Sequence, residues 1–180
     1  DVAPGAWVHV HNLEMGDFAR DYGWGVDAKP TAHVATPATF QGILRPDGSV
    51  ATRNYIGVLT TVNCSAQVAR MISEHFRMSG ELKDYPNVDG VVALTHKSGC
   101  AGGEETEGNH VLRRTVAGYA RHPNFAAVLI IGLGCESNQL PRLVAEEHLK
   151  TGPRLHTLVI QETGGTKKTV DAGIEYIRKL

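Results

Sequence analysis

The sequence lacks the marks of a membrane protein, a secreted protein and a nucleic-acid-binding protein. None of its apolar runs reaches the ~18–20 residues that a membrane-spanning helix needs. The first residues do not show the basic and apolar regions of a signal peptide. The net charge is only −1, so no excess of positive charge favours nucleic acid or an anionic membrane. We therefore expect a soluble, cytoplasmic protein without a nucleic-acid or membrane partner.

Cysteine is scarce, and the chain does not begin with methionine. The three cysteines are an odd number in a chain without secretory features, which favours a reducing compartment and a catalytic or metal-binding role over disulfide bonds. The missing methionine predicts that the chain begins inside a longer protein. With 180 residues, 42% of them hydrophobic and 21% charged, the composition is that of one globular domain with an appendage.

The chain divides into three segments by pattern. Residues 6–11 alternate in the manner of a strand but have no nearby partner, so we assign 1–14 to the end of an upstream domain. Residues 15–39 carry scattered glycine and proline with little periodicity and predict an extended linker. From Phe40 onwards the character changes, and we assign 40–180 to one main domain.

In the main domain, short apolar runs alternate with amphipathic helical patterns. The runs are centred on residues 55–62, 89–95, 126–133 and 155–160. The helical patterns lie near residues 68–76, 105–121, 137–150 and 166–180. Non-alternating strands between helices indicate βαβ units. The sequence therefore predicts an α/β fold, with a Rossmann-like parallel sheet of at least four strands flanked by helices.

Each cysteine falls at or just past the carboxyl end of a predicted strand. Cys64, Cys100 and Cys135 are separated by 36 (100 − 64) and 35 (135 − 100) residues, about one βα unit each. Ligands of open parallel sheets bind outside the carboxyl ends of the strands. Thiols are soft ligands that suit iron or zinc. Because buried free cysteines are common, the alternative of inert structural residues stays open.

Other groups cluster beside these strand ends. "LTHKSGCAGGEE" places His96 and Lys97 ahead of Cys100, and "GLGCES" places Glu136 directly after Cys135. "QETGGTKKT" could hold an anion at a helix N-terminus or be a plain glycine-rich turn. "GLGCES" also resembles part of a dinucleotide-binding loop, but no acidic residue is placed to support that interpretation.

Several long strings resemble the altronate dehydratase/galactarate dehydratase family of bacterial sugar-acid hydro-lyases. "RPDGSVATRNYIGVLTTVNCSA", "DGVVALTHKSGC" and "HPNFAAVLIIGLGCESNQ" look like its second domain. "PGAWVHVHNL" is similar to the end of the family's small N-terminal β-clip (SAF) domain. The "THKSGC" string looks closer to the altronate branch.

The resemblance implies a function and a partner. Members remove water from an aldonate or aldarate to give a 2-keto-3-deoxy acid, and they depend on Fe(II) or a similar metal. They also carry a large C-terminal domain, which this chain lacks, so we expect that domain of the same protein as a partner, in a homo-oligomer. The cofactor implied is Fe(II), another divalent metal or an iron–sulfur cluster.

We assign candidate roles for that chemistry to the residues at hand. The metal ligands expected are Cys64, Cys100 and Cys135. The acid/base candidates are His96, Lys97 and Glu136. The candidates for binding the sugar-acid substrate are Arg53, Asn54, Gly164, Gly165, Lys167 and Lys168.

Two alternatives remain open at this point. The domain could be a non-catalytic dimerisation and positioning module with buried, inert cysteines, all chemistry lying in the missing C-terminal domain. The related sulfolactate sulfo-lyases are the other alternative.

Overall fold

The computed structural model describes residues 3–9, 12, 14, 16, 23 and 25–180. The chain separates into two compact units, residues 1–39 and 40–180. In the first unit, residues 25–39 are exposed and form no helix or strand. The predicted linker also includes residues 15, 17–22 and 24, which lie outside the described residues.

The strand predicted at residues 6–11 is not formed in its described part. Residues 6–9 have no regular structure, and residues 10 and 11 lie outside the described residues. Among the described residues no strand pairs with this segment, and an extended segment is stabilised only when its backbone groups are paired.

The second unit opens with a small antiparallel hairpin. Its strands are β1 (Ile43–Leu44) and β2 (Val50–Ala51). The turn contains Asp47, whose carboxylate accepts a hydrogen bond from the Ser49 backbone N–H at 3.0 Å, and Gly48 at a φ of 86°. The string Pro-Asp-Gly therefore forms the turn of this hairpin.

Four parallel strands form the main sheet. They are β3 (Tyr55–Thr60), β4 (Gly90–Leu94), β5 (Phe125–Gly132) and β6 (Leu155–Val159). Their order across the sheet is β4-β3-β5-β6, and every neighbouring pair is parallel. The predicted α/β fold class is confirmed.

Five α-helices connect and follow these strands. They are α1 (Ala66–Ser79), α2 (Glu107–Ala120), α3 (Leu140–Glu146), α4 (Ile160–Thr163) and α5 (Thr166–Lys179). Short 3-10 helices lie at Asn63–Ser65 and Glu81–Asp84. Of the described helices, none has the length and apolarity needed to span a bilayer.

The sheet separates two hydrophobic cores, one on each face. On one face, Ile72 of α1 and Ile174 of α5 pack with Val58 and Leu129 of the strands. On the other face, a second cluster joins α2, α3 and the strands through Leu59, Val116, Ala117, Val128, Ile130, Leu140 and Leu143. Alternate residues of β3 and β5 therefore face opposite cores, as expected for a sheet covered on both sides.

The strand order reverses between β3 and β5. The chain leaves β3 towards β4 on one side, and later crosses back to β5 and β6 on the other. The helix that follows β3 (α1) belongs to one core and the helix that follows β5 (α3) to the other. This arrangement opens a crevice at the carboxyl ends of β3 and β5, which is where open α/β sheets bind ligands.

Candidate functional site

The three cysteines lie on three loops at this carboxyl edge. Cys64 is in the 3-10 turn between β3 and α1, Cys100 follows β4, and Cys135 follows β5. All three are free thiols and all three are exposed. The expectation that they could be buried and inert is therefore wrong as far as burial is concerned.

The thiols are close enough to influence one another. The pKa of Cys64 is raised by partial desolvation, by the neighbouring Cys100 thiol and by Cys135. A negative charge on either neighbour disfavours the thiolate of Cys64. The sheet thus brings together three sulfurs that lie 35 or 36 residues apart in the sequence (100 − 64 and 135 − 100).

Backbone hydrogen bonds tie the three cysteine loops together. The Asn63 N–H donates to the Ser98 carbonyl at 2.9 Å, and the Asn138 N–H donates to the Gly99 carbonyl at 3.1 Å. Asn138 is fully buried, and its side-chain amide donates to the Thr61 carbonyl at 2.9 Å. Asn138 therefore joins the Cys135 loop, on which it lies, to both other loops.

Two glycines permit this close approach. At Gly99 (φ +93°), a Cβ atom would lie 2.3 Å from the Thr61 carbonyl oxygen. At Gly134 (φ +124°), a Cβ atom would lie 2.5 Å from Oε1 of Gln161. Gly99 therefore requires glycine for backbone conformation and for space, because it meets backbone atoms, whereas Gly134 requires glycine for backbone conformation.

His96 is held by its own loop and by the last residue of β3. The Ser98 N–H donates to Nδ1 at 3.2 Å, so Nε2 carries the proton and donates to the Thr60 carbonyl at 2.9 Å. Both ring nitrogens are thus engaged within the protein. Lys97, the next residue, is exposed.

Glu136 is a buried carboxylate with three donors around it. Oε1 accepts from the Thr61 hydroxyl at 2.8 Å and the Leu133 N–H at 3.1 Å, and Oε2 accepts from the Gly134 N–H at 2.6 Å. Its side chain is only 2% exposed. The carboxylate therefore closes the loop that carries Cys135.

The glycine pair after β6 lies at the same edge of the sheet. The Gln161 N–H donates to the Leu133 carbonyl at 3.0 Å, joining α4 to the Cys135 loop. Lys168 extends back over Gly164, and Lys167 pairs with Asp171 of the same helix at 2.7 Å. Gly165 precedes the first residue of α5 at a φ of 103°.

Arg53 and Asn54 lie at the amino ends of the strands, whereas the cysteines lie at the carboxyl ends. They directly precede β3, so the strand separates them from the cysteines. Arg53 pairs with Asp89 at 3.4 Å, and the Asn54 side chain donates to the Asn87 carbonyl at 2.6 Å. The structure does not bring these two residues to the cysteine edge, because a residue before a parallel strand and one after it lie at opposite ends of that strand.

The donor set at the cysteine edge suits a soft metal by its chemistry. Thiolates are the ligands of iron–sulfur clusters, and they also bind iron and zinc ions. Among the residues that the structure describes, no group of three or more His, Cys, Asp or Glu side chains has the arrangement of a metal site. The thiols are thus gathered at one edge without forming a preorganised coordination sphere.

Comparisons with known proteins identify the family of this chain. The family model for the second domain of D-galactarate dehydratase/altronate hydrolase matches residues 42–180. The chain belongs to this family. No solved structure matches the chain significantly.

Curated relatives extend the match to the whole chain. The chain is 32% identical to altronate dehydratase of Escherichia coli over 182 residues and 28% identical to altronate dehydratase of Bacillus subtilis over 186 residues, covering 100% of this chain in both cases. It is 41% identical to the galactarate dehydratase (L-threo-forming) of Escherichia coli over 107 residues, 59% of this chain. The chain spans only 35% of the length of the two altronate dehydratases.

In this member of the dehydratase family, sequence patterns missed Asn138 and Thr61. Both are fully buried and both bind the cysteine loops. The one available signal was the polar string "CESNQ" directly after an apolar strand. A polar run at a strand end predicts a loop, but it does not show which side chain turns inward.

Proposed function

We propose that the protein containing this chain is a hydro-lyase that dehydrates altronate, or galactarate, to a 2-keto-3-deoxy acid. Membership of the dehydratase family and the names of its curated relatives support this activity. The structural observation that carries the proposal is the placement of three exposed thiols on the loops at the carboxyl ends of β3, β4 and β5, beside the strand-order reversal. Because the chain spans 35% of the altronate dehydratases, we assign the remaining groups to the C-terminal domain of the same protein.

The reaction defines the groups that the site must supply. A base removes the proton at C2, an acid protonates the C3 hydroxyl as it leaves as water, and the resulting enol becomes the 2-keto acid. Negative charge accumulates on the substrate carboxylate during proton removal. A nearby cation must stabilise that charge.

Lysines are the residues of this chain best placed for the charged roles. Lys97 is exposed beside the cysteine loops, and Lys168 lies over Gly164 at the same edge. We assign Lys97 to the carboxylate or to proton transfer, and Lys168 to substrate binding. His96 and Glu136 are held by internal hydrogen bonds, so we assign them to positioning Lys97 and Cys135.

We propose that Cys64, Cys100 and Cys135 hold Fe(II), another divalent metal or an iron–sulfur cluster. Such a group would polarise an oxygen of the substrate as a Lewis acid, and three protein ligands leave a position open for it. The thiols are free and exposed, which keeps them accessible to metal. Among the residues that the structure describes, the thiols do not have the arrangement of a site for a single metal ion, so binding of one ion would require the sulfurs to move relative to one another.

Replacing one of the three cysteines by serine tests this function in the full-length protein. After anaerobic purification, we expect Cys100→Ser to lose bound iron and visible absorption and to lower kcat by about 100-fold or more. Met78→Ser is the matched control, because it removes an exposed sulfur on α1, away from the loops. Normal iron content and turnover in Cys100→Ser would contradict the proposal.

A positioning module is the second candidate function. It is favoured by the lack of a metal-site arrangement among the described residues and by the internal bonding of His96 and Glu136. In that case, replacing all three cysteines by serine leaves turnover of the full-length enzyme unchanged. The same replacement abolishes turnover if the thiols bind the metal.

A further inference from the structure

A basic cleft lies at the amino ends of the strands, at the opposite end of the sheet from the cysteines. It encloses about 520 Å³ between the starts of β5 and β6, the end of α2 and the residues after α3. Arg45, Arg121, Lys150 and Arg154 line it, and Asp47 is the one acidic residue among its described lining residues. Its formal charge is +3 (4 − 1), whereas the whole chain carries −1.

Backbone carbonyls fix the three guanidinium groups of this basic cleft. Nε of Arg45 donates to the Pro123 carbonyl at 2.7 Å, and Nε of Arg154 donates to the Ala126 carbonyl at 2.7 Å. Arg121 donates to a carbonyl at the end of α3. Each arginine has five N–H donors, so most remain for a ligand while the conformational cost of ordering the side chains is already met.

Nothing in the described part of the cleft neutralises these charges fully. Partial burial and the charge of Arg154 both lower the pKa of Arg45, and Asp47 offsets this only in part. The Asp47 carboxylate is itself engaged by the backbone and hydroxyl of Ser49. The folded chain therefore holds like charges together, and a bound anion would relieve their repulsion.

His148 adds an imidazole to the rim at a conformational cost. It has a φ of 50°, and among the described residues no other non-glycine residue has a positive φ. The Leu149 N–H bonds to the Val144 carbonyl at 2.9 Å, and the His148 N–H bonds to the Ala145 carbonyl at 3.2 Å. This is the Schellman ending of a helix, in which glycine is the usual residue at the position of His148.

Cations at helix ends explain only part of this charge. Arg121 and His148 follow the C-termini of α2 and α3, where positive charge is stabilising. Arg45 comes from the hairpin and Arg154 from the loop before β6, and neither lies at a helix end. The convergence of these two arginines on the same cleft needs another reason.

We propose that this cleft binds a small phosphate-bearing anion, either free phosphate or a phosphorylated metabolite. Arginine forks match the oxygens of phosphate, and a cleft of this volume accommodates a small molecule. The site is separate from the proposed dehydratase site, since strands of five to eight residues lie between the two edges, about 17–26 Å. The proposal therefore does not depend on the proposed function.

Calorimetric titration of the full-length protein at constant ionic strength tests this site. The probes are inorganic phosphate, pyrophosphate and succinate. We expect saturable binding of phosphate or pyrophosphate to one site per chain, with succinate at least tenfold weaker. Tighter pyrophosphate binding would indicate an extended phosphorylated ligand, and equal binding would indicate free phosphate. Binding of neither, or succinate binding as tightly, would overturn the proposal.

Three variants separate binding at the cleft from general charge effects. Arg154→Gln should weaken binding at least tenfold, whereas Arg77→Gln, which removes an exposed arginine of α1, should leave it unchanged. His148→Gly should weaken binding while raising the melting temperature, because glycine suits the left-handed position. Equal weakening by Arg154→Gln and Arg77→Gln would show nonspecific attraction and overturn the proposal.

Discussion

At the scale of single residues, the cysteine edge depends on groups that carry no chemistry of their own. Gly99 permits the Cys100 loop to contact the end of β3, and Asn138 joins all three loops. Glu136 accepts three hydrogen bonds inside the Cys135 loop. The positions of the thiols are therefore determined by backbone space and by buried hydrogen bonds.

Substitution of Gly99 tests the role of backbone space. We expect Gly99→Ala to lower the free energy of unfolding by about 2–4 kcal/mol, because it combines left-handed strain with overlap on the Thr61 carbonyl. Gly118→Ala, in an exposed part of α2 with open space around it, should instead stabilise by about 0.5–1 kcal/mol. Urea unfolding followed by circular dichroism measures both, and equal effects would contradict the close approach at Gly99.

Substitution of Glu136 separates a positioning role from acid/base catalysis. In Glu136→Gln, an amide N–H₂ group replaces a carboxylate oxygen that accepts a hydrogen bond from a backbone N–H group. Because two donors then face each other, we expect a loss of about 1–3 kcal/mol of stability and a weaker iron signal. Glu175→Gln, which alters an exposed pair with Lys179, should change stability by less than about 0.5 kcal/mol. A variant with native stability and iron content but no turnover would instead identify Glu136 as a catalytic acid or base.

Sequence patterns predicted the positions of the three cysteines after the strands, but they did not predict the residues that hold the cysteine loops. Cys64, Cys100 and Cys135 follow apolar runs, and parallel strands bring such positions to one edge. The inward turn of Asn138 and the closed hydrogen bonding of His96 depend on contacts between loops far apart in sequence. Arg53 and Asn54 were candidates for substrate binding, and the direction of β3 puts them at the opposite ends of the strands from the cysteines.

At the scale of elements, a charged cluster links α1, the following 3-10 turn and α5. Arg178 of α5 donates to both oxygens of Glu81, at 2.8 and 2.9 Å, and His75 of α1 lies 2.7 Å from the same carboxylate. Hydrogen bonds from Arg178 and then His75 lower the pKa of Glu81 from 4.5 to about 2. This cluster connects the ends of two helices that share one hydrophobic core.

The pKa of Glu81 gives this cluster a defined pH dependence. Because the folded-state pKa is depressed, the stabilisation is complete above about pH 4.5 and is lost as the pH falls through about 2. The difference in melting temperature between wild type and Glu81→Gln should therefore shrink steadily between pH 5 and pH 2. A difference that stays constant over this range would show that the carboxylate charge contributes nothing.

Element boundaries were predicted best where apolar periodicity is strong. The predicted strands at 55–62 and 126–133 differ from β3 and β5 by one or two residues at an end. The helix predicted at 137–150 is shorter, Leu140–Glu146, because Glu136 and Asn138 turn into the cysteine loops and His148 ends the helix in a left-handed conformation. These local contacts leave no periodic signal.

At the scale of the whole molecule, residues 40–180 contain both hydrophobic cores. We expect this segment to unfold in a single cooperative transition, since one sheet is shared by the two cores. Calorimetry checks this expectation.

We also expect the 180-residue chain alone to show no measurable dehydration of altronate or galactarate, because it spans 35% of its dehydratase relatives. An assay for the 2-keto acid product checks this expectation, and turnover by the chain alone would place all catalytic groups within it.

None of the three cysteines belongs to either hydrophobic cluster. Substitution of these cysteines during evolution therefore costs little folding stability, because serine or alanine at these exposed positions removes no core contact. A duplicated gene could lose the reaction while keeping a stable sheet, and could then acquire another chemistry on the same loops. Selection for activity, and not for stability, is what would keep sulfur at all three positions.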